Sequence, residues 1–138
     1  MMMADIYWLA GLLEGEGFFG VINSRVSGRL YRYPRVGVSM SDKDVIEKAA
    51  KMFGTSLGIA RKMTAGGKTM YRSVCVGTRA VCWMMTLYSL LGIRRRGQIR
   101  KSLCEWREIA NANERRRLES RRYSDGQIRD GIGRFVVN

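Results

Sequence analysis

Histidine is absent from this chain, and cysteine is scarce. Without histidine there can be no His general base, no Ser-His or Cys-His nucleophile pair and no His-dependent nuclease chemistry. The three cysteines, Cys75, Cys82 and Cys104, form no Cys-x-x-Cys pair, so a zinc site is not expected. They are interpreted as buried small apolar residues of an intracellular protein. Any catalysis must therefore use carboxylates, lysine or arginine, a metal ion and water.

Long hydrophobic runs are also missing. No apolar stretch approaches the roughly 18 residues that a membrane-spanning helix needs, and Met1-Met2-Met3 does not begin a signal peptide. We therefore expect no membrane partner and an intracellular location, in the cytoplasm of an archaeon or bacterium or in an organelle. The 138 residues, 46% of them hydrophobic, predict one domain over 1–138. Its core is expected at about 4–105, with a basic helical extension at about 106–138.

Acidic residues are few and segregated. Twelve acids against 25 Lys and Arg give a net charge of +13, and between Gly17 and Cys104 the only acids are Asp42, Asp44 and Glu47. A solvated surface of mixed charge would interleave both signs. This separation favours a polyanionic partner, most often nucleic acid, with a basic membrane-surface protein as the competing interpretation.

The segment Trp8–Gly17 breaks several local rules at once. It reads as an apolar helix that contains Gly11 and Gly15 on one face and ends in Glu14-Gly15-Glu16-Gly17. Glycine destabilises a helix interior, and carboxylates at a helix C-terminus face the negative end of the dipole. Such conflicts are expected at functional sites. We therefore predict that two copies of this helix pack through the glycine face, with Glu16 at the end of the pair.

The rest of the chain predicts an α+β fold. Strands are expected at Phe18–Val26 and Tyr31–Ser41 around a turn at Ser27-Gly28-Arg29, with Pro34 near the start of the second strand. A helix capped by Ser41 or Asp42 follows and ends at Gly54. A second hairpin, Leu57–Met63 and Met70–Val76, precedes a helix that Thr78 caps and that runs to Leu91. Two further helices are expected, Gln98–Ala110 and one that begins at Asn111 or Asn113. The order α-β-β-α-β-β-α places helices on one face of an antiparallel sheet and leaves the other face open.

Leu9-Ala10-Gly11-Leu12-Leu13-Glu14-Gly15-Glu16-Gly17 resembles the signature of the LAGLIDADG homing endonucleases, and the predicted element order matches that family's fold, with its saddle-shaped sheet, over about residues 5–97. The resemblance implies that this helix forms a dimer interface, here through Leu9, Gly11, Leu12 and Gly15. It also implies that Glu16 binds the catalytic divalent metal, expected to be Mg²⁺, and that Glu14 is structural.

In the family, the open sheet face lies in the DNA major groove. A two-stranded ribbon fits that groove, and arginine reads guanine well. The residues expected to contact DNA as a group, without a division into base readers and backbone contacts, are Ser24, Arg25, Arg29, Arg32, Arg35, Arg61, Lys62, Lys68 and Arg72. Ser39 and Ser41 are candidates for ordering water near the cleavage centre.

A basic residue after the third helix points into the cleavage centre in the family, where it is usually lysine. This chain has Ile93-Arg94-Arg95-Arg96, and alternation from Ile93 selects Arg94 or Arg96. Arginine cannot act as a base here, but it can stabilise negative charge developing on a phosphate.

The signature occurs once, so each chain supplies one metal-binding acid, and cutting both strands of a duplex requires two chains. The resemblance therefore implies an intron-type homodimer that cleaves a long pseudo-palindromic double-stranded DNA target. Three alternatives remain open: a maturase that binds intron RNA, a non-cleaving DNA-binding regulator, and a basic ribosome-associated protein outside the family.

Overall fold

A computed structural model of the chain describes residues 1–61 and 67–125, without the side chains of Arg29, Arg61 and residues 122–125. Its helices and strands, in chain order, are α1 (Met3–Glu16), β1 (Gly17–Val26), β2 (Arg29–Met40), α2 (Lys43–Phe53), β3 (Gly58–Arg61), β4 (Met70–Val76), α3 (Thr78–Leu87), a 3₁₀ turn (Tyr88–Leu90) and α4 (Ile93–Asp125). The predicted α+β order is confirmed.

The four strands form one antiparallel sheet in the order β1-β2-β4-β3. Ser27 and Gly28 join β1 to β2, and their φ angles of 50° and 77° place both in the left-handed region. Two such residues make the turn whose twist suits a hairpin, and glycine adopts this conformation without strain. The turn places Val26 opposite Arg29. The same register continues without interruption along the hairpin to Gly17, which lies opposite Val38.

The register separates the two faces of the sheet. Phe19, Val36 and Cys75 follow one another across β1, β2 and β4, and all three are buried in the hydrophobic core. The helices contribute Leu9 and Leu13 of α1, Ile46 and Phe53 of α2, Met84 and Leu87 of α3, and Ile99 of α4 to the same core. Every second strand residue faces this core, and the residues between them form the open face.

Several predicted boundaries are wrong in detail. The third helix ends at Leu87 rather than Leu91 and continues as the 3₁₀ turn, and β3 begins at Gly58 rather than at Leu57. The predicted end of that strand, Lys62 and Met63, lies outside the described residues. Part of the predicted second hairpin turn lies in 62–66, outside the described residues. Pro34 lies inside β2 rather than near its start. Pro34 precedes Arg35, which is the first residue of β2 in chain order that pairs with β4. Its missing N–H therefore breaks no ladder bond to β4.

The predicted helix caps differ as well. Asp42 occupies the N-cap of α2, but its side chain makes no capping hydrogen bond. Gly77, not Thr78, is the N-cap of α3. The two helices predicted after Gln98 are one continuous helix, α4. Asn111 and Asn113 lower helix propensity by less than about 1 kcal/mol each, which is too little to end a helix that contains no proline.

The chain forms two compact units, Met1–Trp106 and Arg107–Asn138. The first contains the sheet, α1 to α3 and the hydrophobic core. The second includes the exposed basic residues Arg115, Arg116 and Arg117 of α4. No helix in the described residues is both long and apolar enough to cross a bilayer.

Candidate functional site

Glu16 is the last residue of α1, and the chain passes from it directly into β1 with no intervening loop. Gly17 makes this junction, and its backbone N–H donates to the carbonyl of Leu13. A Cβ at Gly17 would lie only 2.5 Å from that carbonyl oxygen and 2.7 Å from the Leu13 Cα, so only glycine fits. The Glu16 side chain is exposed at this junction.

Glu14 is held in place by the start of α4. Its Oε2 accepts a hydrogen bond of 2.8 Å from the backbone N–H of Gly92, the residue before α4. The positive end of the α4 dipole favours a carboxylate at that position. A Cβ on Gly92 would lie 3.0 Å from Glu14 Oε1, so glycine permits this close approach. The contact ties the end of α1 to the start of α4.

Arg95 is the residue that the sequence interpretation missed. It is only 6% exposed, and its guanidinium donates to the carbonyls of Glu14 and Gly15, each at 3.0 Å, and to Gln98 Oε1 at 3.1 Å. Burial and the neighbouring charge of Arg94 lower the Arg95 pKa, and the carboxylates of Glu14 and Glu16 oppose this shift. A cation therefore compensates the negative end of α1.

α4 begins at Ile93, so successive residues from there turn by 100° rather than by the 180° that alternation assumes. Arg94 is exposed and lies beside the end of α1, with Nη2 3.4 Å from the carbonyl of Glu14. Arg96 is half-buried, and its Nε has no hydrogen-bond partner among the described residues. The structure thus places Arg94 next to the acidic end of α1 and gives no such contact for Arg96.

The carboxylate of Glu16 is a hard oxygen ligand of the kind Mg²⁺ prefers. The described residues contain no group of three or more His, Cys, Asp or Glu side chains that could enclose an ion. Mg²⁺ commonly keeps several waters and binds through one or two carboxylates together with substrate phosphates. Glu16 therefore fits an ion whose coordination water and a phosphate complete, rather than one held by a protein cage.

One face of α1 is largely uncovered by the described residues. Gly11 and Gly15 are exposed, and a Cβ on either would meet nothing within 4 Å. Tyr7 is 57% exposed, while Leu12 is half-buried. Leu9, which was predicted to belong to this surface, is instead fully buried in the core. We call Tyr7, Gly11, Leu12 and Gly15 the glycine face of α1.

The open face of the sheet combines aromatic and basic side chains. The guanidinium of Arg35 lies 5.1 Å from the centre of the Phe18 ring. Phe18 pairs with Gly37, where a Cβ would come within 2.6 Å of the ring, so the ring lies across the glycine. Tyr31 and Tyr33 are exposed beside each other, with ring centres 6.2 Å apart and planes inclined by 6°.

The predicted DNA-contacting residues divide between the two faces of the sheet. Ser24, Arg35, Ser39 and Arg72 occupy open-face positions of the register. Arg25 and Arg32 fall on the opposite face, the one that carries the core, and both are exposed. Ser41 follows the end of β2, and Lys68 is exposed shortly before β4. Lys62 and the side chains of Arg29 and Arg61 lie outside the described residues.

The cysteines are only partly as expected. Cys75 is buried, and burial raises the pKa of its thiol, whereas Cys82 and Cys104 are exposed. All three are free thiols. Cys82 and Cys104 are located on exposed sides of α3 and α4, which a count of cysteines alone could not reveal.

No protein-family model and no curated protein sequence matches the chain. Solved structures do match it. The group I intron-encoded homing endonuclease I-CeuI, complexed with DNA, has a TM-score of 0.60 at 13% identity, over 83% of this chain and 59% of its own. The homing endonuclease I-CvuI, in complex with its target and calcium, has a TM-score of 0.55 at 18% identity, over 70% and 62% of the two chains.

The LAGLIDADG homing endonuclease I-LtrWI, bound to target DNA, has a TM-score of 0.57 at 18% identity, over 80% of this chain and 38% of its own. The matched region thus spans about three fifths of I-CeuI and I-CvuI and less than half of I-LtrWI. At these identities the likeness concerns the fold. With its antiparallel sheet, helices on one face and acidic junction after α1, the chain has the fold of the LAGLIDADG homing endonucleases.

Proposed function

We propose that the protein is a site-specific endonuclease that cuts both strands of a duplex by metal-dependent hydrolysis of phosphodiester bonds. The observation that carries the proposal is the exposed Glu16 side chain at the α1–β1 junction, where Arg94 reaches the neighbouring Glu14 carbonyl and where Gly11 and Gly15 of the same helix are uncovered. The basic open sheet face and the net charge of +13 support a nucleic-acid partner. The neighbours of the same fold that were solved with DNA support a duplex.

Glu16 would hold the divalent ion at the scissile phosphate. When bound, such an ion lowers the pKa of water and stabilises the attacking and leaving oxygens. Arg94 contributes a positive charge that stabilises the negative charge developing on the phosphate oxygens. Water adds to phosphorus as the bridging P–O bond breaks; the attacking water gives up one proton to solvent, and the departing sugar oxygen takes one proton from solvent.

A second copy of the chain completes the enzyme. α1 is apolar along its length, yet the described residues leave open space above Gly11 and Gly15, and Tyr7 beside them is exposed. Packing two glycine faces together would bury this surface and let the backbones approach closely. It would also bring two Glu16 residues to one end of the helix pair, one for each DNA strand. A two-fold symmetric enzyme implies a pseudo-palindromic target.

The test is cleavage of a target duplex with Mg²⁺ by the wild type and by Glu16→Gln. The duplex is obtained by selecting binders from a randomised duplex library. We expect Glu16→Gln to cut at least about 10²–10³-fold more slowly, as when one charge-stabilising group is removed from an active site. Its DNA affinity should be unchanged or slightly higher, because the substitution removes a negative charge.

Glu47→Gln is the matched control, because Glu47 is an exposed glutamate of α2 outside this site, paired with Lys43 at 3.6 Å. It should cut like the wild type. Binding without cutting by the wild type would contradict the nuclease proposal and leave a DNA-binding regulator. Tight binding to structured intron RNA in preference to the duplex would indicate a maturase.

A further inference from the structure

A buried arginine joins the end of α1 to the start of α4. Arg95 Nε donates to the carbonyl of Glu14 and Nη2 to the carbonyl of Gly15, both at 3.0 Å, and Nη1 donates to Gln98 Oε1 at 3.1 Å. We call these three hydrogen bonds the Arg95 bridge. The last carbonyls of a helix have no partner within it, and the Arg95 bridge supplies partners for two of them.

The two bridged carbonyls immediately precede Glu16. The carbonyl of Gly15 belongs to the peptide plane that joins Gly15 to Glu16. Glycine has more backbone freedom than any other residue, and this plane lies in the last turn of α1, so the bond from Arg95 adds a restraint where the helix ends. A rotation there would move the Cα–Cβ bond of Glu16 and with it the carboxylate. The planar guanidinium holds two successive carbonyls at once, which a single point charge cannot do.

The charge of Arg95 is costly to bury, and its hydrogen bonds offset that cost. Taking a guanidinium out of water is unfavourable, and here burial lowers the Arg95 pKa. An apolar side chain in its place would leave the carbonyls of Glu14 and Gly15 without these partners. What the arginine adds is geometry: two fixed carbonyls, and a positive charge close to the carboxylates of Glu14 and Glu16.

Arg95 is also distinct from its neighbours in the arginine run. Arg94 is exposed and reaches the Glu14 carbonyl only at 3.4 Å, so it is free to turn toward a phosphate. Arg95 is buried, and two of its three hydrogen bonds go to main-chain carbonyls of α1. Arg94 can therefore face a substrate phosphate while Arg95 holds the main chain that carries Glu16.

We propose that Arg95 is a positioning residue that orients Glu16 for binding a divalent cation. The inference rests on the proposed nuclease function. Residues that orient metal ligands commonly affect metal affinity by about 10- to 100-fold when substituted. Removing the Arg95 bridge should therefore weaken the cation site without removing any of its ligands.

The test compares the wild type, Arg95→Gln and Arg95→Lys, with Arg100→Gln as the matched control. Arg100 is an exposed arginine of the same helix, so the control removes one charge without disturbing the Arg95 bridge. Two quantities are measured: amide hydrogen exchange at residues 14–17, and the Mn²⁺ concentration that half-saturates the protein with its target duplex, followed by electron paramagnetic resonance.

Arg95→Gln should raise the half-saturating Mn²⁺ concentration about 10-fold or more. It should also speed amide exchange at residues 14–17 while exchange in the core strands stays slow. Arg95→Lys should fall between Arg95→Gln and the wild type, because lysine keeps the charge but not the two-pronged contact. Arg100→Gln should match the wild type in both measurements.

An Arg95→Gln protein that is folded, exchanges normally at 14–17 and binds Mn²⁺ like the wild type would overturn the proposal. Should Arg95→Gln not fold, Arg95→Lys decides by the same two readouts. If the wild type neither binds Mn²⁺ nor cuts any duplex, the nuclease function fails. Faster exchange confined to 14–17 in Arg95→Gln would then show that the Arg95 bridge restrains this segment but would overturn its part in cation binding, and unchanged exchange would overturn both.

Discussion

Arg35 lies on the open face of the sheet, where the neighbouring residues hold its side chain. Its guanidinium stacks on the Phe18 ring at 5.1 Å, and that ring has room because Gly37 stands opposite. Its Nε is buried and has no hydrogen-bond partner within the described residues. A side chain held in this way loses little conformational freedom on binding, which favours a directed contact with a base edge.

Replacing Arg35 with Gln should change which base is preferred at one position of each half-site. A good arginine–guanine contact contributes about 1–3 kcal/mol of discrimination, so the preference there should fall about 5- to 150-fold. Arg32→Gln is the control, because Arg32 lies on the same strand but on the opposite face. Binding selections with randomised half-sites measure both. A base preference altered equally by the two substitutions would contradict the assignment of the open face.

The residues at the centre of the site differ in how far sequence could predict them. The position of Glu16 at the end of α1 was predictable because a motif of glycines and acids at a helix end conflicts with local helix rules. Arg95 was not, because a run of three arginines carries no sign of which one is buried. The choice among Arg94, Arg95 and Arg96 depends on where α4 begins, and a shift of one residue turns each side chain by 100°.

At the scale of elements, α1 is unusual because it is apolar on both sides. Leu9 and Leu13 fill the core on one side, while Gly11 and Gly15 are uncovered on the other. An element with two apolar faces normally has a partner on each. The second face is therefore the surface at which a second copy of the chain is expected to pack.

Gly11→Leu should convert a dimer into a monomer while the chain stays folded. Within one chain the new side chain meets nothing within 4 Å at its Cβ, and replacing a helical glycine favours the helix by up to about 1 kcal/mol. Between two chains the same side chain would hold the backbones apart. Sedimentation equilibrium measures the assembly state, and thermal unfolding monitors the fold.

Gly20→Ala is the matched control, because Gly20 also has open space at its Cβ but lies in β1. It should leave the assembly state unchanged. A Gly11→Leu protein that remains dimeric would show that the glycine face is not the interface.

Element order and strand positions were predictable because period-two alternation and glycine turns are local signals. The ends of the helices were harder to predict from the sequence. The stop of α3 at Leu87 and the continuity of α4 depend on packing and on the absence of a strong breaker, which residue preferences do not resolve. The position of Leu9 in the core rather than on the glycine face likewise depends on how α1 is rotated against the sheet.

At the scale of the whole molecule, the excess of positive charge predicts strongly salt-dependent DNA binding. In a plot of the logarithm of affinity against the logarithm of salt concentration, the slope is negative. Each phosphate that a basic side chain neutralises should make this slope steeper by about 0.9. Part of the charge is carried by Arg115, Arg116 and Arg117, which are exposed in α4. Their position in a long basic helix favours binding to the DNA backbone rather than to bases.

Changing Arg115, Arg116 and Arg117 together to Gln should weaken binding equally for all DNA sequences. The salt slope should become shallower by up to about 2.7 per chain, which corresponds to three phosphates at about 0.9 each. Fluorescence anisotropy at several salt concentrations measures this slope for target and non-target duplexes. An unchanged slope would mean that this part of α4 does not bind DNA, and weakening confined to the target would mean that it reads sequence.

The central claim is that each chain contributes one acid, Glu16, and that each acid cuts one strand. The most direct measurement uses mixed dimers, purified through two different tags, in which one chain is wild type and the other is Glu16→Gln. Their substrate is a supercoiled plasmid that carries the selected target. Wild-type dimers should linearise the plasmid, and mixed dimers should accumulate nicked circles. Linear product from mixed dimers at a rate near that of the wild type would contradict the claim, because one Glu16 would then suffice for both strands.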